Sequence, residues 1–453
     1  MTQLKVGYAP QAKLSWINDS LEDTRKQSIA LLESLDIDLA AAPLLTCDAE
    51  AEEFAAECRR QQVDVLIVHY LTFSLGSMTP LLAQRVGVPV ILWGMPEPPF
   101  DGGRIKSNSF CAVNMNCHAL RKLQHPYSFV FGTPETIADQ MARHLRVAAC
   151  VKRLRTTRIG VVGSRVPGFY TSCFNELALR RTLGVEIKYV DLLEIVHTAE
   201  NLPEETVDKA YAHITGAADS FDRVPGDQLR KAAALYAAFT HTREHQRLSG
   251  FAVKCWPQFG NIYGVGVCST LGQLTSEGCC ASCEGDVYGA VAMIILEELS
   301  GKAPFYCDLI AFEEDENVGM GWHCGAAPVS LKADGCPGAL GLHSVMDGGN
   351  VKGVTHDFPL KSGPVTFTQL GEDRDGEYRF LIAGGRGLET PQLLPGNPLR
   401  IRFDAPLSEL VDTIIEGGFS HHYTVGYADL NIELKLLCGW LGIEPILLQK
   451  ANR

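Results

Sequence analysis

No stretch of the 453 residues runs for about 18 apolar positions without interruption, so no candidate for a bilayer-spanning helix is present. The opening residues, MTQLKVGYAP, hold no basic segment followed by an apolar one; no secretory leader is expected, and a cytoplasmic location is. Positive charge is in deficit: 40 Lys and Arg against 53 Asp and Glu give a net charge of −13 and a pI near 5.5. Such a surface repels phosphate backbones and anionic lipid, which argues against nucleic-acid and membrane partners. No internal repeat or low-complexity tract is found, although two similar α/β halves remain open. The turn GVVGSRVPG (Gly160–Gly168) lacks the G-x-G-x-x-G spacing of a dinucleotide site, so no nucleotide is expected. Among the fifteen cysteines, the cluster Cys268, Cys279, Cys280 and Cys283 contains one C-x-x-C, Cys280–Cys283, with no second half to complete a zinc site. In a long chain without a leader these thiols are expected to pack as small hydrophobes, with no disulfide framework.

What is present is ordinary globular composition, 46% apolar and 21% charged. At roughly 100–200 residues per domain, the length allows two to four domains. Apolar runs such as Val63–Tyr70 and Pro89–Gly94 alternate with amphipathic stretches such as Asp23–Ser34, the pattern of a parallel sheet covered on both faces. A fresh strand at Arg158–Gly163 follows the basic stretch Val151–Arg158 and begins a second unit of the same kind, with helices expected around Cys173–Leu183, Asp227–Thr242 and Gly289–Leu299. After Gly301 the texture changes to glycine-rich turns and β-prone pieces such as GPVTFTQL and EYRFLIAGG, with a last helix near Leu430–Leu441. The expected fold class is α/β: two doubly wound, Rossmann-like parallel-sheet domains (1–155 and 156–303) followed by a mainly antiparallel, barrel-like domain (304–453).

The last third carries the chemistry. Glu284 stands just before the Gly289–Leu299 helix and Asp308 where the next strand begins, both at element ends where functional side chains are displayed. His323 lies in the glycine-flanked GWHCG, and His421 and His422 follow two glycines in GGFSHHYTVGY. Singly, each has a plain structural reading: Glu284 or Asp286 as a helix cap, His323 as a hydrogen-bonded loop residue. Together, carboxylates and imidazoles suit Mn²⁺, Mg²⁺, Co²⁺ or Fe²⁺ better than a thiophilic ion.

These segments resemble the L-fucose isomerase and L-arabinose isomerase superfamily through almost the whole chain. VDVLIVHYLTFSLGS (Val63–Ser77), LWGMPEPP (Leu92–Pro99) and AVNMNCH (Ala112–His118) are similar to first-domain segments of that family. VKCWPQF, CEGDVYGAVAMIILEELSG and GGFSHHYTVGYADL are similar to the segments around its metal site. The resemblance implies an aldose–ketose isomerase using a divalent metal, typically Mn²⁺ with Mg²⁺ or Co²⁺ as alternatives. The 24-residue separation of Glu284 and Asp308 matches the two metal carboxylates of the fucose branch, where they would be both ligands and acid/base groups. The metal histidine falls on His421 or His422, alignment to the fucose branch preferring His421, and GWHCG resembles the arabinose branch at a further metal histidine, His323. His118 resembles a position that reaches a neighbouring subunit's site, which implies a homo-oligomer, a trimer or hexamer, with active sites near subunit interfaces. Lys254, Trp256, Trp93 and Trp322 are candidate sugar contacts, the tryptophans by stacking on C–H faces.

The expected reaction is ketol isomerisation of a pentose, deoxyhexose or modified hexose through a metal-stabilised cis-enediol. A related branch acts on sugars sulfonated at C6, and Arg104, Arg165 or Lys254 would suit such an anion. The alternative from another class is a non-catalytic sugar-binding or regulatory protein of the same fold, which has no need for two carboxylates and a histidine. A nucleotide-dependent oxidoreductase lacks its phosphate loop.

Overall fold

The computed structural model describes residues 3–343 and 352–449. By compactness the chain divides into two units, Met1–Lys152 with Lys435–Gly442, and Arg153–Leu434 with Ile443–Arg453. The first unit holds five strands: β1 (Leu4–Gln11), β2 (Ile37–Ala41), β3 (Val65–Tyr70), β4 (Val90–Gly94) and β5 (Tyr127–Phe131). All pair in parallel in the order β2-β1-β3-β4-β5. Every residue of β3 and β4 is buried, which is why these strands read as unbroken apolar runs. Between them, helix Met78–Val86 stops where Gly87 takes a φ of 74°, a conformation glycine adopts without a Cβ clash.

The second unit repeats the scheme with β6 (Arg158–Val162), β7 (Glu186–Val190), β8 (Gly250–Val253) and β9 (Cys280–Ser282), parallel and in the order β7-β6-β8-β9. Its remaining strands are β10 (Phe305–Glu313), β11 (Val318–His323), β12 (Ala339–Gly341), β13 (Thr355–Asp357), β14 (Gly363–Glu372), β15 (Tyr378–Gly387), β16 (Asn397–Phe403), β17 (His422–Gly426) and β18 (Glu444–Leu448). Antiparallel pairing runs β14-β17-β10-β11-β16-β15 and closes through β15–β14, giving a six-stranded barrel. β18 joins β15 in parallel, and β12 with β13 forms a separate two-stranded ribbon. Inside the barrel Phe305, Phe367, Leu399 and Ile401 are fully buried.

Helix Val287–Ser300 explains its own composition. It packs against β8 and β9 on one side and β14 and β17 on the other, so Val287 through Leu296 are all buried. A helix covered on both sides is apolar all round. One helix of this unit, Leu407–Gly417, was not expected from the glycine-rich, β-prone texture after Gly301. Among the described residues no helix is long and apolar enough to cross a membrane. None of the fifteen cysteines is in a disulfide.

Three buried histidines set the acid limit of stability. Burial alone pushes His69 down to about 3, and its Nε2 has no hydrogen-bond partner. Burial, with the charge of Arg143, pushes His144 down to about 4; burial does the same to His356 against a contact with the Ala327 carbonyl. In the unfolded chain each titrates near 6.5. Above that pH both states are neutral; below it the unfolded chain takes up protons that the folded chain refuses. Unfolding free energy therefore falls as pH drops from about 6.5 toward 4, by up to about 1.4 kcal/mol per histidine per pH unit. Thermal unfolding between pH 7 and 5, above the carboxylate range, checks this: the midpoint falls steadily, whereas a flat profile contradicts the assignment.

Candidate active site

In an open parallel sheet, functional residues gather beyond the carboxyl ends of the strands where the order reverses. In the second unit that edge carries the loop after β6, Lys254 to Trp256 after β8, and Glu284 after β9. Glu284 has a φ of 60°, a left-handed conformation costly for a side chain with a Cβ, and Gly285 follows at 74°. A Cβ on Gly285 would stand 2.7 Å from the Ser164 carbonyl oxygen and 3.0 Å from Arg165 Cα. The turn after β9 is thus pressed against the loop after β6, which fixes where Glu284 projects.

Glu284 Oε1 accepts a hydrogen bond from Trp256 Nε1 at 3.0 Å. Its Oε2 lies 2.9 Å from His422 Nε2 and 3.5 Å from His421 Nε2. Asp308 Oδ1 is 3.9 Å from the same His422 Nε2. Asp308 and His422 face each other as ladder partners of β10 and β17, and β10 bulges immediately afterwards between Leu309 and Ala311. Bulges recur beside functional sites because they re-aim a side chain. Glu284 Oε2 and Asp308 Oδ1 are both buried; Oε2 is engaged by the ion pair with His422, whereas Asp308 Oδ1 accepts no hydrogen bond.

Asp286 stands behind His422. Its Oδ1 accepts from the Gly289 N–H at 2.9 Å, capping helix Val287–Ser300, and its Oδ2 accepts from the Tyr306 hydroxyl at 2.9 Å. The same Oδ2 is 3.4 Å from His422 Nδ1. A carboxylate on the far nitrogen of an imidazole orients the ring and raises its basicity. Burial opposes the imidazolium, but Asp286 and Glu284 outweigh it and push His422 up to about 10. For Glu284, burial works upward, yet His421, His422 and Trp256 hold the carboxyl well below the usual range.

The expected residues thus separate. Glu284, His421 and His422 bring donor atoms within 4.8 Å of one another, and Asp308 adds Oδ1 3.9 Å from His422 Nε2; His421 is exposed, its ring tilted against that of His422 with centroids 3.9 Å apart and its Nδ1 3.2 Å from Thr171 Oγ1. His323 is buried beside Tyr306, ring centroids 5.5 Å apart, with Nδ1 3.5 Å from Cys324 Sγ, and is not in the donor group formed by Glu284, His421 and His422. Trp256 donates its N–H to Glu284, and Phe169 meets it edge-on at 5.7 Å. Arg165 is half-buried with its guanidinium 4.8 Å from the Tyr170 ring; Lys254 is half-buried too, and neither forms an ion pair among the described residues. His118 is exposed on helix Ser109–Lys122 of the first unit, and Arg104 sits over the Trp16 ring at 4.9 Å. Trp93 requires correction as a sugar contact: it is fully buried in β4, stacked on His69 at 3.8 Å and bonded to the Gly132 carbonyl, so its ring offers no face to a ligand. Asp286 and Tyr306 were missed as parts of the site, since a cap residue and a strand tyrosine give no local sign of a shared imidazole.

The arrangement is an oxygen and nitrogen donor set braced by second partners, suited to a hard divalent cation. Residues 16–155 match the family described as fucose/sulfoquinovose isomerase, N-terminal domain. A sulfoquinovose isomerase of Alkalicoccus urumqiensis is 32% identical over 95% of this chain and 96% of its own length. One from Priestia aryabhattai is 31% identical over 98% and 99%. One from Clostridium sp. (strain MSTE9) is 27% identical over 98% and 99%.

Proposed function

The chain belongs to the fucose isomerase-like family of aldose–ketose isomerases, and on that premise we propose that it isomerises an aldohexose sulfonated at C6, using a divalent metal, Mn²⁺ first among candidates, held by Glu284, Asp308 and His422. The observation that carries the metal is the donor group of Glu284, His421 and His422, with ligand atoms within 4.8 Å of one another, together with the buried Asp308 Oδ1, which accepts no hydrogen bond and lies 3.9 Å from the same His422 Nε2. A buried acceptor without a donor is costly, and a cation shared with Glu284 and His422 would satisfy Asp308 Oδ1.

Bound there, a divalent cation supplies polarisation of adjacent sugar oxygens, which acidifies the C–H beside the carbonyl. Isomerisation moves a proton between C2 and C1 of the open-chain sugar by way of a cis-enediol. Glu284 and Asp308 are the carboxylates positioned to take and return that proton. Trp256 holds Glu284 Oε1 and so leaves Oε2 turned toward His422; Asp286 holds the far side of the His422 ring. Phe169 stands edge-on to both Trp256 and His421, an apolar ring beside the site.

The sulfonate reading is supported by the substrate named for the relatives and by two cations at the strand ends, Arg165 and Lys254, that no carboxylate neutralises among the described residues. Exposed His118 is proposed to reach the site of a neighbouring copy in a homo-oligomer. The test is a panel of aldoses, sulfonated and neutral, read by ketose formation. The sulfonated hexose is expected to lead in kcat/KM by at least about tenfold, equivalent to about 1.4 kcal/mol. Arg165→Ala should raise KM for that sugar about tenfold while leaving a neutral sugar nearly unchanged. A preference for a neutral pentose or deoxyhexose would overturn the substrate while leaving the metal reading standing.

A further inference from the structure

Cys268, Cys324 and His343 come from three separated parts of the sequence, yet each offers a donor atom within 4.8 Å of the other two. Cys268 opens helix Cys268–Ser276 and is 1% exposed, Cys324 directly follows β11, and His343 lies just past β12 and is 6% exposed. We propose that these three residues form a second metal site, selective for a thiophilic divalent cation such as Zn²⁺ and chemically distinct from the carboxylate site.

The two sulfurs are 4.0 Å apart. That is twice the length of a disulfide bond and close to the edge, roughly 3.8 Å, of a tetrahedron with Zn–S distances of about 2.3 Å. Two thiols and an imidazole are the soft donor set that selects zinc over manganese or magnesium. Binding would release two thiol protons, and two thiolates would neutralise the dication, so the buried cluster would carry no net charge.

The backbone already holds the donors in place. Val354 and β13 tie together all three ligand-bearing segments: the Ser269 N–H donates to the Val354 carbonyl at 2.9 Å, and the His356 N–H donates to the Gly325 carbonyl at 2.9 Å. Gly341, two residues before His343, pairs with Thr355. Gly325 has a φ of 112°, and a Cβ there would stand 2.3 Å from Thr355 Cβ, so the turn carrying Cys324 fits only as glycine. Each ligand is thus one or two residues from a fixed backbone contact to one short strand, a pre-organised geometry rather than a chance encounter of thiols. His323, with Nδ1 3.5 Å from Cys324 Sγ, connects the cluster to Tyr306 and through it to His422.

The test uses the full chain, stripped of metal, reloaded with one equivalent of Zn²⁺ or Co²⁺ in the absence of manganese, and examined by X-ray absorption. Two sulfur scatterers at about 2.3 Å and thiolate-to-cobalt charge-transfer absorption are expected. Cys324→Ser should remove that absorption and weaken zinc binding by more than about 100-fold, the upper end of what an outer-shell change costs. Glu284→Gln should leave the sulfur signal intact, which separates this site from the carboxylate one. A shell of oxygen and nitrogen alone, or no bound metal, overturns the proposal; so does charge-transfer absorption that survives in Cys324→Ser. Should that variant fail to fold, the absorption spectrum of the parent decides alone.

Discussion

Glu284→Gln is expected to lose at least about 10³-fold in kcat/KM, about 4 kcal/mol of transition-state stabilisation, with its fold unchanged. The replacement is isosteric, and its amide oxygen can still accept from Trp256 Nε1, so the turn at φ 60° is not asked to move. What disappears is the charge and basicity of the oxygen facing His422. A carboxamide neither removes a proton from carbon nor balances a dication. Manganese bound per chain and the rate of ketose formation are the two readings, and both should fall. Asp308→Asn, on the opposite strand, should behave alike because it removes the other buried acceptor. Parent-like turnover in Glu284→Gln would remove this residue from the chemistry.

Asp286→Ala should cost both stability and metal affinity. The substitution deletes the cap of helix Val287–Ser300, worth about 1 kcal/mol. It also strips the Tyr306 hydroxyl of its acceptor inside a fully buried pocket, about 1–3 kcal/mol more. The third loss is the hold on His422 Nδ1 at 3.4 Å; losing such an outer partner typically weakens metal binding 10- to 100-fold. Asp286→Asn keeps one oxygen and a similar shape, so it should recover most of the thermal stability while remaining weak in metal binding. If Asp286→Asn matched the parent in both, the carboxylate would be a cap and nothing more.

Much of this was legible in the sequence, and the limits have physical causes. The buried strands β3 and β4 announced themselves because parallel strands covered on both faces carry no polar alternation. By the same logic Trp93, inside one of those runs, belonged to the core; its ring chemistry suggested a sugar platform, and burial decided otherwise. Glu284, Asp308 and the His-His pair stood at element ends, where display is common. The resemblance left the metal histidine between His421 and His422, and both reach Glu284: His422 from inside, opposite Asp308, and His421 from the exposed side. Asp286 could be read as a cap, which it is, but the use of its second oxygen depends on β10 and β17 arriving from elsewhere in the chain. Trp256 likewise drew attention for its ring, although its N–H is what meets Glu284. Of the thiol cluster only Cys268 stood in a cysteine-rich stretch; its partners Cys324 and His343 lie far away in sequence, and only the backbone links through Val354 and β13 bring the three together. Cys280 and Cys283, which did have a metal-like spacing, lie outside that cluster.

The central claim is that Glu284, Asp308 and His422 hold the divalent cation on which isomerisation depends. Its most direct test is the rate of ketose formation from a C6-sulfonated aldohexose by the full chain, before chelation, after it, and after Mn²⁺ is restored. Activity is expected to fall to background on removal of the metal and to return with about one manganese per chain. Undiminished turnover in the metal-stripped protein would contradict it.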